Sequence, residues 1–282
     1  MSTLSATPAP AAAEQPQQQQ PPPAPTSIRL QTLDPSTTPH TTFTALFHLL
    51  TSAFGGSGNG SSPIWDNMYP LPRPSLDEQA AVGARQHAWE IRNRDVVYVV
   101  AVGTFPAGEG GGEGVEEERP VGLAVWGRPG YRWKPLVQRE KMGQEEREAY
   151  EGYNLDFRNE WRGTLQLHRD QLMGDELYWY LSILAVHPSY QKYKIGSQLL
   201  DHGLSLADGA HPPLPALLES SPAGKRLYKS RGFVKEGEYP SCATWKGMEE
   251  VRFPLYRRPA ARGVEQGLQG GGEDGVQALA ME

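Results

Sequence analysis

The sequence predicts a mixed α/β (α+β) fold, one sheet with helices on its faces, and three observations carry that expectation. Between residues 27 and 258, β-rich stretches alternate with helix-spaced ones, closing in the order strand, helix, strand, helix, strand, strand. Leu177 to Val186 is a near-continuous apolar run, the pattern of a strand covered on both faces. Ser75 with Glu78 has the spacing of a capping box, which opens a helix.

Each element follows from its pattern. Ile28, Leu30 and Thr32 alternate with polar neighbours, as in a half-buried strand. Phe43, Leu46, Phe47, Leu50 and Phe54 make one apolar helical stripe. The helix opened by Ser75 runs to about Ile91. Asp95 to Gly103 and Val121 to Trp126 are β-rich, and the Gly/Glu stretch between them, Ala107 to Glu118, predicts antiparallel neighbours joined by a long solvated loop. Residues 128 to 176 carry Trp133, Tyr150, Tyr153 and Trp161 among many charges and read as a partly helical insertion over the core, either a substrate lid or plain packing. After the apolar strand comes a helix buried on Ile195, Leu199, Leu200, Leu204 and Ala207. Pro215 to Ser220 is a short strand, Ala223 to Ser230 a short helix, and Phe233 to Lys235 and Met248 to Leu255 are closing strands.

Composition bounds the function. The 31 glycines and 25 prolines of the 282 residues concentrate in a few stretches, so part of the chain lies outside any core. Residues 1 to 26 (Pro, Gln, Ala) and 259 to 282 (Gly, Glu, Gln) read as disordered tails around one domain at 27–258. The single cysteine, Cys242, excludes a disulfide framework and a thiolate-rich zinc site, and the histidines show neither HxH nor HExxH spacing, so no metal is expected. The longest apolar run, Val96 to Val102, is far short of the roughly 20 residues of a membrane span. The start lacks a signal-peptide pattern, and the first basic residue is Arg29. A pI near 5.7 leaves no electrostatic footprint for nucleic acid. The expectation is an intracellular, cytoplasmic protein, with the nucleus left open, acting as monomer or homodimer on a small molecule.

The chemistry concentrates in Leu181 to Gly232. A buried strand ends LAVHP (Leu184 to Pro188), a polar turn SYQKYKIGS follows, and then a helix begins. A helix N-terminus presents unpaired N–H groups and the positive end of a dipole, which suits a pyrophosphate. Gly196 removes a side chain where a backbone would approach such an anion, and Lys192 and Lys194 add positive charge. The same features also describe an ordinary strand-turn-helix with two solvated lysines, and on them alone both readings stand.

LAVHPSYQKYKIGSQLL resembles the acetyl-CoA-binding segment of the GNAT superfamily of N-acyltransferases, whose core pattern is Q/R-x-x-G-x-G/A. Gln191 and Gly196 match, while Lys194 stands at the first glycine; its amide can still donate and its ammonium can reach a phosphate. LESSPAGKRLYKSRGF resembles the second hallmark of that family through Gly224, Leu227, Tyr228, Gly232 and Phe233. The resemblance implies a mostly antiparallel sheet with a V-shaped splay between two parallel strands and acetyl-CoA as cosubstrate. It also implies an amine of a small molecule or peptide as acceptor, attacking directly in a ternary complex. Leu184, Ala185 and Val186 would line the pantetheine arm, with an N–H near Val186 polarising the thioester carbonyl. Gln191 would belong to the same cofactor-binding segment, and amides from Lys192, Tyr193, Lys194, Ile195, Gly196 and Ser197 would hold the pyrophosphate. Tyr228 would protonate the leaving thiolate, and its alternative is a packed aromatic. Glu219, ending a strand beside the splay, is the first candidate for the general base; its alternative is capping the next helix or pairing with Lys225 or Arg226. His187 reads as a turn residue. The competing class is a non-catalytic acyl-CoA-binding or protein-interaction module on the same fold.

Overall fold

The computed structural model describes residues 23–54, 63–68, 75–106, 116–240, 245, 248 and 250–261. Most of both expected tails, the centre of the Gly/Glu loop and Cys242 lie outside the described residues. The elements in chain order begin with β1 (Ser27–Thr32), α1 (His40–Phe54), α2 (Pro63–Met68), α3 (Leu76–Asn93), β2 (Val96–Phe105) and β3 (Glu117–Gly127). They continue with α4 (Gln144–Ala149), α5 (Leu155–Met173), β4 (Trp179–Val186), α6 (Ile195–Asp208), β5 (Ala216–Glu219), α7 (Lys225–Lys229), β6 (Val234–Pro240) and β7 (Arg252–Arg258). The strands form one sheet in the order β1-β2-β3-β4-β5-β7-β6. Every neighbouring pair is antiparallel except β4 with β5. This is the mixed, mostly antiparallel sheet that the sequence predicts.

Local signals account for the helices. Glu78 N–H donates to Ser75 Oγ at 3.2 Å and Ser75 N–H donates to Glu78 Oε2 at 2.8 Å, the reciprocal capping box opening α3. On one sheet face, α6 buries Ile195, Leu199, Leu200, Leu204 and Ala207 against Val99, Ala124, Trp126 and Leu218. Gly203 permits that seat, because a Cβ there would stand 2.0 Å from the fully buried ring of Trp126. The opposite face carries α1 and α3, with Phe43, Leu46, Leu50, Ala84 and Ile91 packed on Tyr98, Val100 and Leu123. The 128–176 segment supplies α4 and α5; Tyr150, Tyr153 and Phe157 join Phe47 and Met68 in a separate aromatic cluster.

Two features differ from the simple reading. The near-continuous apolar strand contains a bulge: Val125 pairs with Ile183 and Trp126 with Leu181, so Ser182 is an extra residue. Its hydroxyl donates to Val125 O at 3.1 Å. The bulge reverses the side-chain alternation, so Trp179 and Leu181 share the α6 face with Leu184 and Val186, while Ile183 and Ala185 turn to α1. Both closing strands also begin later than the apolar pattern predicts, and β6 runs on to Pro240, because it is an edge strand of mainly exposed residues with no apolar pattern to mark it.

Candidate active site

β4 and β5 run side by side only from Trp179 to Leu181, paired with Ala216 to Leu218. Beyond Leu181 they separate while β4 stays bonded to β3 as far as Val186. His187 N–H donates to Val121 O at 3.0 Å, so by the two-residue alternation Ile183 and Ala185 also face β3. The N–H and C=O groups of Leu184 and Val186 therefore lie on the open edge of β4. Ala185 is buried, its main chain committed to β3 opposite Leu123.

The following turn is built from unusual backbone. Tyr190 N–H donates to His187 O and Gln191 N–H to Pro188 O, and the helical pattern starts only with Gln198 N–H on Lys194 O. The N–H groups of Lys192, Tyr193, Lys194, Ile195, Gly196 and Ser197 have no acceptor among the described residues. Lys192 (φ 76°) and Lys194 (φ 59°) adopt the left-handed conformation, and they are the non-glycine residues with positive φ among those described. A run of donors at a helix N-terminus with its dipole behind it fits a polyanion. A Cβ on Gly196 would meet only Leu227 at 3.6 Å and Val186 at 3.7 Å, ordinary contact distances. Nothing among the described residues therefore demands glycine there.

Tyr228 lies on the α6 face in the same cluster as Val186 and Leu227, its ring edge-on to Phe233. Gly224 makes room for it, since a Cβ there would stand 2.4 Å from the ring. Burial pushes the phenol up to about 12 and keeps it protonated at neutral pH. Its hydroxyl has no hydrogen-bond partner among the described residues, which leaves the proton available.

Glu219 closes β5 on the opposite face and has both oxygens engaged. Arg169 Nη1 of α5 donates to Oε1 at 2.6 Å, and the Tyr180 hydroxyl donates to Oε2 at 2.7 Å. Lys225 and Arg226 are not its partners. The Arg169 side chain is 1% exposed, lies 3.9 Å over the Tyr180 ring, and also donates to Gln166 Oε1. Burial raises the Tyr180 phenol well above its usual range, and the Glu219 charge adds to it. A second buried pair fixes the other end of α5. Arg158 donates to Glu90 Oε1 at 2.7 Å, alongside the Tyr150 hydroxyl at 2.8 Å. Desolvation opposes ionisation of Glu90, but Arg158 and Arg94 outweigh it and hold the carboxyl at about 2. His187 caps its own turn, accepting from Ser189 N–H.

Of the residues singled out in the sequence, Leu184 and Val186 thus lie on the open edge of β4, Lys192 to Ser197 in the turn that opens α6, and Tyr228 on the α6 face. The sequence reading missed Tyr180, Arg169 and Ser182. A stripe of Arg158, Arg162, Leu165, Gln166 and Arg169 at helical spacing was the available signal for the arginines. Among the described residues no helix is long and apolar enough to cross a membrane, and no group of three or more His, Cys, Asp or Glu could hold a metal ion.

Residues 115–243 match the family model described as "Acetyltransferase (GNAT) domain". No curated protein sequence matches the chain. Among solved structures, the mosquito arylalkylamine N-acetyltransferase like 5b is 14% identical with a TM-score of 0.48, covering 83% of this chain and all (100%) of its own. A Corynebacterium glutamicum protein described as histone acetyltransferase HPA2 and related acetyltransferase is 20% identical (TM-score 0.45; 82% and 97% covered). Arabidopsis thaliana NAA60 in complex with a bisubstrate analogue is 14% identical (TM-score 0.45; 83% and 98% covered).

Proposed function

We propose that this chain, which carries an acetyltransferase domain of the GNAT family over residues 115–243, moves the acetyl group of acetyl-CoA directly onto an amine of a small molecule or peptide. The observation that carries the reading is the run of acceptorless N–H groups from Lys192 to Ser197 beside the open edge of β4. Bound acetyl-CoA supplies the activated acyl group as a thioester. The N–H groups of 192–197 hold the pyrophosphate, with Lys192 and Lys194 contributing charge. Leu184 and Val186 offer main-chain groups to the extended arm as a strand partner would, and the Val186 N–H polarises the thioester carbonyl. Tyr228 donates its proton to the departing sulfur. Its raised pKa does not prevent this, because the same desolvation makes the thiolate a stronger base. Glu219 receives the proton of the attacking amine through the Tyr180 hydroxyl, since both its own oxygens are engaged.

The experiment combines a melting shift with acetyl-CoA, a stabilisation expected of any ligand that binds only the folded state, with thiol release over an amine panel. A shift with thiol release supports the enzyme. A shift without release across a broad panel favours the non-catalytic acyl-CoA-binding module. The absence of any shift at saturating acetyl-CoA overturns the reading.

A further inference from the structure

The sheet-facing stripe of α5 carries three arginines, Arg158, Arg162 and Arg169, on the inserted segment. The outer two are buried and each meets a carboxylate, Arg158 with Glu90 and Arg169 with Glu219. Arg162, one turn beyond Arg158, has no hydrogen bond and no ion pair among the described residues. It is half-buried, its guanidinium resting 4.6 Å from the centre of the Trp161 ring. Trp161 stacks on Phe157, which meets Trp245 edge-on, so the arginine stands at the margin of an aromatic wall. Along α5 it lies between the two buried pairs, one turn after Arg158 and two turns before Arg169. The same helix carries unused donors: Arg158 Nη1 and Trp161 Nε1 are buried without an acceptor among the described residues. An arginine is planar and permanently charged, and its fork matches a carboxylate. Two carboxylates from the chain serve its neighbours, and among the described residues none serves Arg162.

We infer that Arg162 is the specificity residue for an acceptor amine that itself carries a carboxylate, with the partly exposed Trp161 ring, backed by the buried Phe157, receiving its apolar part. The inference rests on the acetyl-transfer reading above and names the acceptor class of that site. The amine end of such a molecule reaches the open edge of β4 while the carboxylate anchors on α5.

The test measures kcat/KM for paired amines with saturating acetyl-CoA: tryptophan against tryptamine and tryptophan methyl ester, and phenylalanine against phenethylamine. It uses the full chain, Arg162→Gln and Arg162→Lys, with melting temperature and acetyl-CoA affinity measured on each protein. The wild type should prefer the carboxylated member by about 10- to 100-fold, the range of a charge-assisted hydrogen bond pair. Arg162→Gln should erase that preference mainly through KM, and Arg162→Lys should retain part of it. A wild-type preference for the neutral amines, or a preference that survives Arg162→Gln, overturns the assignment. So does silence across the panel while acetyl-CoA still binds, an outcome that leaves the cofactor reading standing. Failure to bind acetyl-CoA at all overturns the proposed function instead.

Discussion

Replacing Lys194 by glycine and, separately, by alanine isolates the backbone cost of the turn. Lys194 precedes α6 with φ 59° and ψ 16°, and its side chain makes no cap hydrogen bond. Both variants remove the same ammonium and stem, so their difference reports only what a Cβ does at this position. At an ordinary position glycine is less stable than alanine by about 0.5–1 kcal/mol, because its unfolded chain is freer. In the left-handed region the Cβ costs about 1–2 kcal/mol. Glycine should therefore exceed alanine by roughly 0.5–1 kcal/mol, a reversal of the usual sign. For a domain of this size that corresponds to a melting temperature about 1–4 °C higher. Urea unfolding and calorimetric melting of the two variants measure it directly. An alanine variant as stable as the glycine one would refute the reasoning, since it would mean that position 194 is not left-handed in solution. The same two proteins test the ammonium: if it meets a phosphate, both bind acetyl-CoA more weakly than wild type, with a shallower salt dependence.

Tyr228→Phe should lower turnover by about 10² or more while leaving acetyl-CoA affinity nearly unchanged, read by steady-state kinetics beside calorimetric binding. Arg169→Met leaves the Glu219 carboxylate buried without its cation and should cost about 3–5 kcal/mol in urea unfolding. Gly203→Ala drives a Cβ into the Trp126 ring and should cost about 1–3 kcal/mol, with loss of near-ultraviolet tryptophan dichroism as a second readout. Glu90 falls from its usual 4.5 to about 2 on folding, so its contribution is complete above 4.5 and disappears as pH drops through about 2. His87, held below its usual 6.5 by burial, begins the same acid-side loss just under that value. Glu90→Gln should flatten the lower part of this limb, and an unchanged acid profile would show that the Arg158 pair does not form.

Local rules made the first part of the fold readable. The Ser75 and Glu78 pair and the α6 stripe are contiguous in sequence, and short-range periodicity reports them. The bulge at Ser182 is hidden because an apolar run that is buried on both faces has no alternation to interrupt. The splay itself depends on where β5 stops pairing, which follows from its short length and from no local pattern in β4. Tyr228 and the 192–197 turn stood out only through a resemblance, since their residue types are also those of an ordinary turn and helix. Glu219 was visible as a carboxylate at a strand end, but its partner is 50 residues away on α5. The insertion at 128–176 reads as a helical excursion with many charges, and only three-dimensional packing shows that Arg158 and Arg169 among them are buried.

In the proposed function, the turn after β4 and the insertion divide the site between two kinds of atoms. The proposed cofactor side is made largely of main-chain amides, which any side chain but proline at 192–195 leaves in place, so most mutations there should change affinity by increments. The proposed acceptor side is made of side chains on a segment inserted between β3 and β4, tied to the scaffold through the Arg158–Glu90 and Arg169–Glu219 pairs. A chimera that grafts another 128–176 segment onto this scaffold should keep its cofactor affinity and acquire the donor's choice of amine. Glu90 and Glu219 set the condition, because they belong to the scaffold and would be left as unmatched buried charges by a graft lacking cations at 158 and 169. Retargeting this protein is thus a matter of carrying two carboxylate–arginine matches along with the helix.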